Sequence, residues 1–138
     1  AGALAASLLL FIGIREATQP KPESGRFVAV LQQDKVSPGF LLTVDLKTKE
    51  FTVRRVGADA PRDRSYELWL VHDKFPAPRS LGVIGDHEFT TRAALSAYEP
   101  QIINEATYAV SIEPPGGSPT GVATGPIVYV GKLIEALP

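Results

Sequence analysis

The chain has no cysteine and no methionine, and only one tryptophan and two histidines among 138 residues. Without a thiolate, thiol catalysis, zinc ribbons, iron–sulfur clusters, blue-copper centres and disulfide frameworks are excluded. The lack of cysteine does not assign a redox compartment; it says only that the fold dispenses with staples. Without methionine, the chain is expected to be a fragment or a processed product. A positive charge excess is also missing. The 14 basic and 15 acidic residues give a formal net charge of −1, so the basic field of a nucleic-acid binder is absent and no nucleic-acid partner is expected. No apolar run reaches the ~20 residues that a complete transmembrane helix needs.

What is present is ordinary globular material. The hydrophobic share is 44% and the charged share 21%, which argues against wholesale disorder. The length points to one domain. Twelve glycines and twelve prolines in so short a chain imply many turns.

Residues 1–14, AGALAASLLLFIGI, carry no charge. Three readings compete: a signal-peptide core, a buried core helix, and the outer half of a transmembrane helix. A signal peptide needs a basic start and a small-residue cleavage site, and Ile12-Gly13-Ile14-Arg15-Glu16 is a poor one. The third reading is favoured, because the chain starts inside the apolar run and leaves it through a charged pair. Residues 15–25 are polar, with Pro20 and Pro22 holding the backbone extended. They read as a juxtamembrane stalk, although a disordered leader has the same composition. The expected organisation is the C-terminal part of a transmembrane helix over 1–14, a stalk over 15–25 and a folded domain over 26–138. The apolar segment also suggests pairing with another copy's, and so a homo-oligomer.

From Phe27 onward the pattern has period two. Phe27, Ala29 and Leu31 share one face and Val28 and Val30 the other, so this strand is apolar on both sides. Phe40, Leu42, Val44 and Leu46 line one face of the next. Residues 45–50 form a tight connection into EFTVRRV, without the Asn-Gly or Asp-Gly pair of the commonest hairpins. In YELWLVHD, Tyr66, Leu68, Leu70 and His72 fall opposite Glu67, Trp69 and Val71. Strands are also expected near 81–84, 88–90, 106–114 and 126–133, the last with Ile127, Tyr129 and Leu133 on one face. Residues 91–98 are the one helix signal in the body, ended by Pro100. Seven or eight short, mostly antiparallel strands predict an all-β fold, a β-sandwich with one short helix and the helical N-terminal segment.

Chemistry is sparse. His72 and His87 stand near carboxylates but without metal-ligand spacing, so no metal site is expected. Ser65, Ser80, Ser111 and Ser118 are formally available for a triad, and none lies in a Gly-x-Ser-x-Gly elbow. Gly116 to Gly121 lacks the Gly-Lys-Ser/Thr ending of a phosphate loop. No catalytic residue, no cofactor and no enzyme activity are expected. Trp69, within a strand, is expected to be core.

Three segments together resemble one family. They are Tyr66-Glu67-Leu68-Trp69-Leu70-Val71 with Ser80-Leu81-Gly82-Val83-Ile84, then Tyr108 to Pro119 (YAVSIEPPGGSP), then Thr124-Gly125-Pro126-Ile127-Val128 through Gly131. In this order they resemble the C-terminal extracytoplasmic domain of the anti-sigma-K factor family, over about half the chain. The Glu-Pro-x-Gly-Gly-Ser-Pro motif is the most specific part. One departure is Thr120-Gly121-Val122-Ala123, which lengthens the loop before Thr124.

The resemblance implies a sensory or regulatory outer domain of a membrane-anchored anti-sigma factor. The sigma factor, of the extracytoplasmic-function type, would be bound by an upstream cytoplasmic domain. Residues 1–14 would anchor the chain in the cell membrane, this domain would lie on the extracytoplasmic (periplasmic) side, and a regulatory protease would cut at the stalk. The loop Glu113, Pro114, Gly116, Gly117, Ser118 and Pro119 is a candidate recognition surface, or a rigid connection whose glutamate holds backbone amides. The alternative function is a cell-surface β-sandwich that binds carbohydrate or protein.

Overall fold

The computed structural model describes residues 25–34, 37–59, 62–85 and 89–135. The expected membrane segment and all of the stalk except Gly25 lie outside the described residues, as does His87. Nine strands are described: β1 (Arg26–Gln32), β2 (Pro38–Asp45), β3 (Glu50–Arg55), β4 (Ser65–Val71), β5 (Arg79–Ile84), β6 (Phe89–Arg92), β7 (Thr107–Glu113), β8 (Ile127–Lys132) and β9 (Ile134–Glu135). A 3-10 turn at Ala94–Ala97 and a short helix α1 (Pro100–Glu105) separate β6 from β7. The all-β expectation holds.

The strands form one antiparallel sheet in the order β5-β4-β7-β8-β1-β2-β3-β6, with β9 paired to β1. A single core cluster receives Leu31, Leu42, Val53, Leu68, Leu81 and Val110 from six of these strands. A sheet that points one face at one core must wrap around it. Its two edges, β5 and β6, accordingly meet. The Arg92 guanidinium donates to the Val83 carbonyl at 2.9 Å, and the Gly85 N–H donates to Thr90 Oγ1 at 2.8 Å. The sheet is thus nearly closed, and a side chain spans the seam where strand pairing stops.

Period two does most of the sorting. Leu42 and Val44 are fully buried, while Leu41 and Thr43 between them are only partly so. Burying each such aliphatic side chain stabilises the fold by about 1.5–3 kcal/mol. The β2–β3 connection is closed by Asp45, whose Oδ1 accepts from the Lys47 N–H at 2.8 Å, and Lys49 takes the left-handed conformation, φ 59°. An aspartate side chain thereby does the work of the absent Asn-Gly pair.

Two local expectations are corrected. The helix expected over 91–98 is absent: Thr91 and Arg92 belong to β6, and only one 3-10 turn follows. Thr91 pairs with Thr52 across the strands, and their hydroxyls meet at 3.0 Å. Pro100 opens helix α1 and does not end one, since the first helical position needs no N–H. In β8, Ile127 does not share the inner face with Tyr129. A register shift between Val110 and Ser111 sets Tyr129 opposite Val110 and Ile127 opposite Ser111. Tyr129 therefore packs on the core, and Ile127 is exposed. An extra residue in one strand reverses the facing of everything beyond it.

Candidate functional site

Strands β4 and β7 pair from Ser65↔Glu113 to Val71↔Thr107. Their inward residues Tyr66, Leu68, Leu70, Tyr108 and Val110 enter the core. Their outward residues should be wet. Instead Glu67 is 6% exposed and Trp69, Ser111 and Glu113 are fully buried. Trp69 and Ala109 lie outside the main core cluster, so a second, smaller interior sits on the outer side of the sheet. The segment 114–126 lies over it as a strap.

Two carboxylates fasten this strap. Glu113 accepts from the Ser111 hydroxyl at 2.6 Å, the Thr124 hydroxyl at 2.5 Å, and the Thr124 and Gly125 N–H groups at 3.1 and 3.2 Å. Ser111 Oγ in turn accepts from the Trp69 indole N–H at 2.8 Å. Burial by itself would push the Glu113 carboxyl up. The hydrogen bonds from Ser111, Thr124 and Gly125 overcome it and hold the carboxyl below the usual carboxylate range. Glu67 accepts from the Ser118 N–H at 2.7 Å and from the Ser80 hydroxyl. Among the described residues no buried side-chain polar atom lacks a partner, which is what an enclosed polar network requires.

Glycine is obligatory at two points of the strap. Gly117 has φ +103°, and a Cβ there would lie 2.7 Å from Val83 and 3.0 Å from the Glu67 carboxylate. A Cβ on Gly125 would fall 1.7 Å from the Ile112 carbonyl oxygen. Close backbone approach lets Pro126 accept from the Ile112 N–H at 3.1 Å and extends the β7–β8 pairing under the strap.

The six candidate recognition residues therefore divide. Glu113 and Gly117 are buried, Ser118 is half-buried, and Pro114, Gly116 and Pro119 are exposed. Glu67, Thr124 and Gly125 also make the strap rigid but are not among the candidate recognition residues. For Glu67 the signal is parity: Glu67 and Trp69 alternate with three core residues of β4, and a glutamate beside a tryptophan on one face implies a covered face.

The other candidates are occupied elsewhere. Ser65 Oγ accepts from the Gly116 N–H at 2.9 Å, Ser80 and Ser111 serve the glutamates, and Ser118 Oγ donates to the Val122 carbonyl. His72 Nδ1 accepts from the Lys74 N–H at 3.0 Å. That leaves Nε2 as the N–H donor to Glu105 at 3.0 Å. The bonds from His72 and then Gln101 lower the Glu105 carboxyl. His72 and Glu105 line an open cleft of about 310 Å³ together with Val71, Asp73, Thr107 and Lys132. Among the described residues no group of three or more His, Asp or Glu side chains is placed to hold a metal ion. Buried Trp69 offers no stacking platform for a sugar. Among the described residues no helix is long and apolar enough to cross a membrane.

The arrangement is a rigid scaffold that displays a proline- and glycine-rich surface. Comparison with curated proteins and with solved structures gives no match. The family model described as the C-terminal domain of anti-sigma-K factor rskA matches residues 1–127, and the chain belongs to that family.

Proposed function

We propose that this is the extracytoplasmic regulatory domain of a membrane-anchored anti-sigma factor. It would control an extracytoplasmic-function sigma factor by gating proteolysis of the stalk. The observation that carries the reading is the extent of the family match. It runs from Ala1 through the apolar segment and stalk and across the sheet as far as Ile127. The match thus takes in residues 1–24 together with the sheet, which supports reading them as parts of one protein of this kind.

The fold supplies a physical route. The stalk runs into β1, which lies between β2 and β8 in the sheet order. A protease needs exposed, extended chain. The proline-spaced, polar sequence of residues 15–25 suits that need, while the sheet that begins at Arg26 does not. The folded domain, alone or with a neighbour on its strap, limits how closely a protease approaches the stalk. A change in the domain or its neighbour alters that limit. Catalysis is no part of this role, and the sigma factor is bound by a region upstream of the sheet.

The test is made in cells. Residues 25–138 are deleted from the anchored protein, and transcription from a promoter dependent on the cognate sigma factor is measured with and without inducing stress. The reading expects altered transcription in at least one condition. Identical transcription in both overturns it.

A further inference from the structure

The outer face of β1 is aliphatic where an antiparallel sheet normally turns polar. Ala29 and Leu31 fill the core, so Val28 and Val30 point outward. Val30 is 42% exposed, Val130 46% and Ile134 66%. Register makes them neighbours. Val28 is opposite Ile134, Val30 is opposite the partly buried Leu41, and Val130 pairs with Gln32, two residues beyond Val30. The row from Val30 continues through Leu41 and Arg54 to Phe89, whose 55% exposed ring lies 5.5 Å from the Arg54 guanidinium carbon. The next row, Thr43, Thr52 and Thr91, is polar, so the aliphatic group is bounded.

Its position suggests what covers it. The stalk joins β1 at Arg26, two residues from Val28. The ten residues from Arg15 to Ser24 reach at most about 33–36 Å when fully extended. That is close to the diameter of a domain of this size, about twice a ~13 Å radius of gyration. A chain anchored through residues 1–14 keeps this face within reach of the bilayer at all times. A tether of that length gives the lipid surface a high effective concentration, whereas a second copy must be met by diffusion. The rim carries Arg54 and Lys132, exposed cations on long apolar stems that suit a headgroup layer; among the described residues the acids near it are Glu135, beside β1, and Asp73 and Glu105, which share a cleft with Lys132.

We propose that the outer face of β1, β8 and β9, centred on Val30, Val130 and Ile134, rests on the lipid surface of the membrane that anchors the chain. The proposal depends on residues 1–14 being part of a membrane span.

The chain has no native cysteine, so single-cysteine variants of the full chain carry one probe each. Leu9→Cys, Val30→Cys, Val130→Cys, Ile134→Cys and Thr120→Cys are labelled with an environment-sensitive fluorophore. Each is reconstituted into phosphatidylethanolamine–phosphatidylglycerol vesicles that contain doxyl-labelled lipid. Leu9 reports the anchor. Thr120, exposed on the strap and outside the proposed face, is the comparison site. An unchanged Trp69 emission spectrum establishes that each variant is folded.

The proposal expects quenching and a blue shift at 9, 30, 130 and 134, and neither at 120. Quenching at 9 with no more quenching at 30, 130 and 134 than at 120 overturns it and leaves the anchor reading intact. No quenching at 9 means the anchor reading fails and takes this proposal with it. Concentration-dependent disulfide dimers of Val30→Cys without lipid quenching overturn it in favour of a second copy.

Discussion

Removing the Glu113 carboxylate should loosen the strap and cost a large part of the domain's stability. In Glu113→Ala, four donors lose their acceptor: the Ser111 and Thr124 hydroxyls and the Thr124 and Gly125 N–H groups. Thr124 is exposed, so its two donors recover water. The other two belong to Ser111, which is fully buried, and to Gly125, which is half-buried. At about 1–3 kcal/mol for each donor left unpaired, the expected loss is about 2–6 kcal/mol. A domain of this size has only about 5–15 kcal/mol in total. Equilibrium urea unfolding measures it, with Trp69 emission as the signal. Trp69 is the only tryptophan, and its indole donates to Ser111 Oγ, so the native emission should shift as well. Glu113→Gln keeps one acceptor oxygen but turns an NH2 toward the donors, and its loss should fall between those of alanine and wild type. A loss below about 1 kcal/mol in Glu113→Ala, with native emission unchanged, would refute the argument, since a net bond to a charged group is worth more than that.

Three further outcomes are expected. The Glu113 carboxyl is depressed in the folded protein, so its stabilisation is complete above the ordinary glutamate range and is lost as pH falls through the depressed value; the acid limb of a stability–pH curve should be shallower in Glu113→Gln. Gly125→Ala should cost about 3 kcal/mol or more or displace the strap, because backbone, not a flexible side chain, lies 1.7 Å from the added Cβ; thermal unfolding with Trp69 emission distinguishes the two. Tyr108→Phe removes a 2.6 Å bond to the Ile103 carbonyl and should cost about 1–3 kcal/mol in urea unfolding, whereas Lys47→Ala on the exposed hairpin should stay within about 0.5 kcal/mol.

The sheet was legible because alternation is a local property. Each strand carries its own record of which face is dry, and Phe40, Leu42 and Val44 lie on the buried face where the pattern puts them. The resemblance to the anti-sigma-K factor family was equally readable, since the Glu113–Pro119 motif and its companions are linear. Three things were settled only by the folded chain. Ile127 turned outward because a bulge in the β7–β8 pairing depends on both strands at once. Thr91 and Arg92 joined the strand expected near 88–90 and not a helix, because β3 offered an edge to pair with and that pairing outweighed the helix preference of the alanines that follow. Glu67 and Glu113, far apart in sequence and unremarkable in composition, became the fixings of one strap because β4 and β7 set them on the same side of the sheet and loop amides came to them. Period and motif are written along the chain, whereas a hydrogen-bond partner dozens of residues away exists only once topology has brought it within 3 Å.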